Sequence, residues 1–275
     1  MKNLMAWSLI GPAIALVALL LVIPVATMTA TTFAQPGGIF SAYLWFFSSN
    51  FRRLVLYRTL EIAAITTAVS VVVGFAAAYA IARMPAGMRR LMIATAVFPL
   101  LTGVVVRSFA WLVILGKFGI LNTLFLQAGL IDRPLSMLYS RGAVIVALVY
   151  LFVPLMILTL VGVLERMPSE IVDAATSLGA GPVAAFRQVT LPLAAPGLIV
   201  GAVLVFTGSF TAYATPLLLG GERQMTMGTF LYQRAMVTLD WPGASTVAAI
   251  MLVVAFAVVF AMNRLARRLN PAMLQ

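Results

Sequence analysis

The residues best suited to recognise a ligand lie in one apolar stretch, Phe206-Thr-Gly-Ser-Phe-Thr-Ala-Tyr-Ala-Thr-Pro216. Ser209, Thr211, Tyr213 and Thr215 supply hydroxyls, and Phe210 and Tyr213 supply aromatic faces. An organic ammonium seated on such faces gains about 0.5–2 kcal/mol per good contact. Small and hydroxyl-bearing residues also serve helix packing, as Gly197 and Gly201 suggest, so both readings stay open. Glu61 and Arg107 are ionisable groups within other apolar runs, where charge is costly unless it faces protein or water. Arg58 lies three residues before Glu61, at a spacing that allows a simple pair on one helix, and Arg107 has the reach to snorkel to an interface.

A second constellation is built for docking. The segment from Arg166 to Pro192 begins with Pro168 and Ser169, which open a helix, and Glu170 and Asp173 place negative charge near its positive end. Gly179 supplies a left-handed stop. Ile171, Ala174, Ala175 and Leu178 follow the i, i+3, i+4, i+7 spacing and form one narrow apolar face, with Glu170, Asp173, Thr176 and Ser177 on the other. So short a helix is not stable alone, and its alanines let another backbone approach closely. It either lies on the protein's own surface or receives a partner. Pro182 starts a second short helix, expected to end at Leu191-Pro192.

These elements sit in a chain of 275 residues that is 63% apolar and 9% charged, too little polar surface for a water-soluble domain. Histidine and cysteine are absent, which removes imidazole and thiolate catalysis and the usual metal sites. The 18 basic residues are scattered between apolar runs and form no nucleic-acid-binding stripe. Six runs are long enough to cross a hydrocarbon core of about 30 Å as helices: Trp7–Thr29, Tyr57–Ala82, Leu91–Leu115, Gly142–Leu164, Leu193–Leu218 and Ala244–Met262. Pro99, Pro154 and Pro196 are positioned to kink three of them. The segments 30–56 and 116–141 read as interfacial stretches on the outer surface. With both ends placed inside, nine Lys and Arg fall on each side, so charge bias does not orient the chain. Clusters at Arg89-Arg90 and Arg264–Arg268, beside span ends, favour both termini in the cytoplasm.

The loop resembles the cytoplasmic signature of binding-protein-dependent ABC importer permeases: Glu-Ala-Ala, three residues, Gly, nine residues, Ile, one residue, Leu-Pro. It reads here as Asp173-Ala174-Ala175, Gly179, Val189 and Leu191-Pro192, with the spacings intact and two conservative replacements. Arg107-Ser-Phe-Ala-Trp111, Gly119-Ile-Leu-Asn122, Gly129-Leu-Ile-Asp132, Val149-Tyr150 and Asp240-Trp241-Pro242 resemble the spermidine/putrescine-type branch.

The resemblance implies an all-α membrane protein with six transmembrane helices in the type I ABC importer permease fold, in the bacterial inner membrane. It divides the chain into residues 1–56, a transmembrane domain 57–264 containing the loop 166–192, and a cytoplasmic tail 265–275. It makes Glu170, Ile171, Asp173, Ala174, Ala175, Leu178, Gly179, Leu191 and Pro192 the contact with an ATPase. The pathway candidates are Glu61, Arg107, Trp111, Tyr150, Ser209, Phe210, Thr211 and Tyr213. The chain itself carries no Gly-x-x-x-x-Gly-Lys-Ser/Thr phosphate loop, so ATP and Mg belong to a partner. Expected partners are two ATPase copies, a sister permease, a periplasmic solute-binding protein and the lipid bilayer. The expected substrate is a polyamine or related cation, with an amino-acid derivative or opine as the alternative. A nucleotide-independent carrier or channel would instead show intramembrane carboxylates, which are sparse.

Overall fold

A computed structural model describes residues 2–33, 38 and 40–269. The described residues form helices α1 (Lys2–Phe33), α2 (Ser41–Ser48), α3 (Asn50–Ala82), α4 (Ala86–Leu101), α5 (Val104–Leu115), α6 (Ile120–Gln127) and α7 (Arg141–Leu164). These are followed by α8 (Ser169–Ser177), α9 (Pro182–Ala185), α10 (Leu191–Thr211), α11 (Ala214–Gly220), α12 (Met227–Tyr232) and α13 (Trp241–Leu269). Six stretches are long and apolar enough to cross a membrane: Ile14–Phe33, Asn50–Ala82, Val104–Gln127, Arg141–Leu164, Pro182–Thr211 and Trp241–Arg264. Of the expected tail, 265–275, the part from Asn270 onward lies outside the described residues, as do both chain ends.

The contacts divide the chain into two compact units. One comprises the chain up to Leu54 with Phe230–Val253. Its α1 side chains Leu16, Leu20 and Leu21 are exposed, and the helix is long and apolar enough to cross a membrane. In the same unit the Arg52 guanidinium lies 3.7 Å and that of Arg234 4.9 Å from the Trp45 ring, and Arg234 is paired with Asp240 at 2.7 Å. Asp240 also accepts from the Gly243 amide at 2.9 Å, which caps α13.

The second unit comprises Val55–Thr229 and the chain from Val254 onward. Its core is the packing of α10 on α7, and small residues make it possible. A Cβ on Gly201 would meet Met156 Sδ at 2.5 Å, and one on Gly208 would meet Phe152 Cε1 at 2.4 Å. The glycines of the fifth apolar run therefore pack helices, one of the two readings open from sequence. Pro154 and Pro196 lie inside uninterrupted helices.

Two expected spans are not single helices. Leu91–Leu115 is broken between α4 and α5, where Thr102 and Gly103 are extended with ψ of 134° and 144°. The break opens carbonyls at the end of α4, and Arg107 closes them. Its Nη1 donates to Pro99 O at 3.0 Å and to Thr102 O at 3.2 Å, while Thr102 Oγ1 donates to Pro99 O at 2.8 Å. Arg107 is 6% exposed, so it does not snorkel to an interface. The negative end of the α4 dipole offsets its charge instead.

Leu193–Leu218 likewise stops at Ala212, which is extended at ψ 133° before α11 begins. Pro216 has no N–H to give to the Ala212 carbonyl, the bond a continuous helix would require. Gly228 lies against that carbonyl so closely that a Cβ would meet its oxygen at 2.5 Å. At the other end, Leu191-Pro192 is not a break. A π-helical turn over Phe186–Thr190 joins α9 to α10, with Leu191 N–H bonded to Phe186 O, and the wider turn accommodates the proline.

Replacing Arg107 with leucine leaves Thr102 O without the guanidinium, at about 1–3 kcal/mol, while Pro99 O keeps the Thr102 hydroxyl. The variant is expected to unfold several degrees below the parent in detergent; an unchanged melting temperature would show that the break does not need the guanidinium.

Candidate functional site

Helix α8 is set by its ends. Pro168 precedes it in extended conformation, and Gly179 follows with φ +88°, a value that side-chain-bearing residues rarely adopt. Gly179 N–H bonds Thr176 O at 2.9 Å and Ala180 N–H bonds Ala175 O at 3.0 Å, the paired pattern of a Schellman stop. The chain then turns directly into α9 through Gly181 and Pro182. Ala185 is buried and Phe186 packs edge-on to Phe75 and Tyr79, both at 5.6 Å between centroids, which anchors the loop to α3.

The apolar face expected on α8 is exposed at Ile171, Ala174 and Leu178 but not at Ala175. Leu178 is 90% exposed and Val183, beyond the turn, 78%. Ile171, Ala174 and Asp173 are also exposed, whereas Val172 and Ala175 are half-buried on the inner side. Ile171, Ala174, Leu178 and Val183 thus form an uncovered apolar surface at the end of a membrane bundle, the kind of patch that marks a protein contact. Glu170 is exposed beside it, and Leu191 and Pro192 stand exposed at the start of α10.

Behind α8 lies a cavity of about 330 Å³ bounded by Arg83, Arg89, Glu165, Asp173 and Thr190 among others. Arg89 Nε and Glu165 are 3.0 Å apart, tying the first turn of α4 to the end of α7 immediately before the loop. Sequence reasoning missed this pair. Its members are 76 positions apart by their numbers, and no local spacing announces such a contact.

The pathway candidates fall into distinct surroundings. Trp111 and Tyr150 meet edge to face at 5.7 Å, joining α5 to α7. Tyr213, at the break between α10 and α11, is 49% exposed. Phe210 is fully buried and stacks on Phe206 at 5.8 Å, and Ser209 is 3% exposed. The Thr211 hydroxyl donates to Thr207 O at 2.8 Å, within its own helix. Arg107 is occupied by the carbonyls of the α4 end.

Glu61 does not pair with Arg58. It receives Arg141 Nη1 at 2.9 Å on both carboxylate oxygens, while Arg58 donates to Met225 O at 3.3 Å. Three residues along a helix are close but not coincident in direction, so each side chain finds a different neighbour. The same stretch of α3 holds α12, since Thr59 Oγ1 accepts the Met227 amide at 2.8 Å. Asn122 is a second residue quoted for its motif alone that proves to be a clasp. Fully buried, it donates to Gly116 O and Leu135 O at 3.0 Å each and accepts from Leu135 N at 2.8 Å, closing the segment around α6.

The family described as binding-protein-dependent transport system inner membrane component matches residues 34–274. The spermidine/putrescine transport system permease protein PotB of Haemophilus influenzae is 31% identical over 216 residues, 78% of this chain and 76% of that one. PotB of Escherichia coli is 31% identical over 70% of each chain. The molybdenum transport system permease protein ModB of Mycobacterium bovis is 28% identical over 74% of this chain and 75% of that one. Among solved structures, a bacterial ABC transporter involved in import of the acidic polysaccharide alginate superposes with a TM-score of 0.81 at 17% identity, covering 97% of this chain and 96% of that one. The MetNI methionine ABC transporter superposes with a TM-score of 0.60 at 18% identity, over 81% of this chain and 99% of that one.

Proposed function

The chain belongs to the binding-protein-dependent transport system inner membrane components, and from that premise we propose that it carries a polyamine or related organic cation inward, driven by an ATPase docked on α8. As a multi-pass inner-membrane ABC importer permease it is a transport subunit and not an enzyme, and its family implies an ATPase and a periplasmic binding protein as partners.

The observation that carries the docking role is the outward apolar face of α8. Ile171, Ala174 and Leu178 are exposed on a helix whose end is fixed by Gly179, with Asp173 and Glu170 at its start. An ATPase covering this face buries Leu178, and movement of α8 passes across the short Gly179–Gly181 turn to α9, which continues through the π-helical turn into α10. On this reading the loop, and with it both chain ends, lies on the cytoplasmic side. Two ATPase copies and a second permease of the same fold complete the assembly.

The substrate class is supported by the names of the PotB relatives, and the chemistry of the chain qualifies it. Of Glu61, Asp132, Glu222 and Asp240, the acids this topology puts on the outer side, Glu61 is neutralised by Arg141 and Asp240 by Arg234. A cation in the path would therefore meet aromatic faces, chiefly Tyr213 with Trp111 and Tyr150, more than fixed carboxylates. Such contacts select weakly among amines. Specificity then rests with the binding protein, and the molybdenum-transport relative is an instance of a related permease named for a quite different solute.

Two experiments test this reading. The binding protein encoded beside this gene is expected to bind spermidine or putrescine in calorimetric titration; binding of sugars or anions with no response to amines would overturn the substrate. Gly179→Val costs about 1–2 kcal/mol in the left-handed region, whereas Gly179→Asn is tolerated there. No neighbour lies within 4 Å of a Cβ at Gly179, so the effect is conformational and not a clash. The valine variant is expected to insert normally but lose most binding-protein-stimulated ATP hydrolysis, with asparagine retaining it. Full stimulation in the valine variant would remove α8 from the coupling role.

A further inference from the structure

One stripe at the end of α3 and the turn after it is left partly uncovered by the rest of the chain. Val72, Ala76, Tyr79 and Arg83 recur at intervals of four, three and four residues and so lie on one face. Between this stripe and the α9–α10 segment runs an apolar groove of about 460 Å³, walled by Val72, Phe75, Ala76, Phe186, Leu191 and Leu198. Val72 is 69% exposed. Tyr79 belongs both to this groove and to the polar cavity of about 330 Å³ behind α8. The Arg83 guanidinium covers the Tyr79 ring at 3.5 Å, at the junction of the two.

The dimensions suit a lipid chain. From Val72 to its end at Ala82 the helix rises about 15 Å at 1.5 Å per residue. This is half of a hydrocarbon core of about 30 Å, the depth of one leaflet. An acyl chain fills such a length, with its headgroup at the end.

The polar end matches a headgroup carrying both charges. Arg89 and Glu165 neutralise each other at 3.0 Å. Among the described residues, Arg83 and Asp173, which also bound the cavity, take part in no ion pair. A guanidinium binds phosphate with a planar fork, and a carboxylate binds a primary ammonium by charge-assisted hydrogen bonds. A quaternary ammonium has no N–H to offer the carboxylate, and a glycerol headgroup has no cation.

We propose that this groove and cavity form a binding site for a phospholipid with a phosphate and a primary ammonium, one acyl chain along α3, the phosphate on Arg83 and the ammonium on Asp173. The site does not depend on α8 contacting an ATPase. A lipid seated there underlies the coupling loop and is positioned to influence its motion.

The test is native mass spectrometry of the assembled transporter released from nanodiscs containing phosphatidylethanolamine, phosphatidylglycerol and phosphatidylcholine with identical chains. The parent is expected to retain phosphatidylethanolamine at least fivefold over either competitor. Ala76→Trp, which fills the groove, and Arg83→Gln should each reduce that retention at least fivefold, and Asp173→Asn should equalise the ethanolamine and choline lipids. Equal retention of all three lipids by the parent, or unaltered retention in the Arg83 and Ala76 variants, would refute the site. A disulfide joining two permease chains that both carry Ala76→Cys would overturn it as well, by assigning the groove to protein. The readout is lipid mass, so its failure leaves the transport reading untouched, and failure of the transport reading leaves this result intact.

Discussion

A polar backbone group that enters hydrocarbon has to find its partner within the protein, because no water is there to supply one. Unbroken helices meet this requirement automatically. Between residues 100 and 230 this chain breaks its helices at several places, and specific residues seal the breaks. Arg107 takes the carbonyls freed at Thr102–Gly103. Asn122 closes the turn and the returning chain around α6, where Gly119 approaches the α5 carbonyls so closely that a Cβ would lie 2.4 Å from Val113 O. Gly228 lies against the carbonyl exposed at Ala212. The short helices α5 and α11 follow these breaks, and they pack on one another and on α7. The exposed Tyr213 owes its place beside a helix break to the same arrangement.

Much of this architecture was legible as runs of apolar residues, since a membrane helix is specified by length and composition more than by face. The loop was legible too, and in finer detail. Pro168, the acidic residues after it and the glycine at 179 are local signals, and each acts within a few residues of itself. The breaks were hidden for the opposite reason. Hydropathy does not change across Thr102-Gly103 or Ala212, so an apolar count runs straight through them. Pro192 misled in the other direction, because a π-helical turn accommodates a proline that would end an ordinary helix start.

Charged residues were the least readable. Arg58 and Glu61 have helical spacing, yet their partners are Met225 O and Arg141. Arg107 had the appearance of a snorkelling cation and instead is buried on the carbonyls of a helix end. Partners across the bundle depend on how helices are brought together, and a single sequence records the spacing along each helix only. Phe210 and Ser209 illustrate the same limit within the pathway candidates. A hydroxyl and an aromatic in an apolar run mark either a channel wall or a packed interface, and burial places these two in the interior.

The loop and the bundle are joined through the uninterrupted passage from α9 through the π-helical turn to α10, with Phe186 packed against α3. On the proposed reading, a force applied to α8 reaches α10 across one short turn fixed by Gly179. The central claim is that the outward face of α8 meets the ATPase. Its most direct measurement is cross-linking from Leu178→Cys to the ATPase in the assembled transporter, with and without ATP. The account predicts a cross-link to that subunit whose yield changes with nucleotide. No cross-link under either condition, together with labelling of the same cysteine by an impermeant reagent added from the periplasmic side, would contradict it.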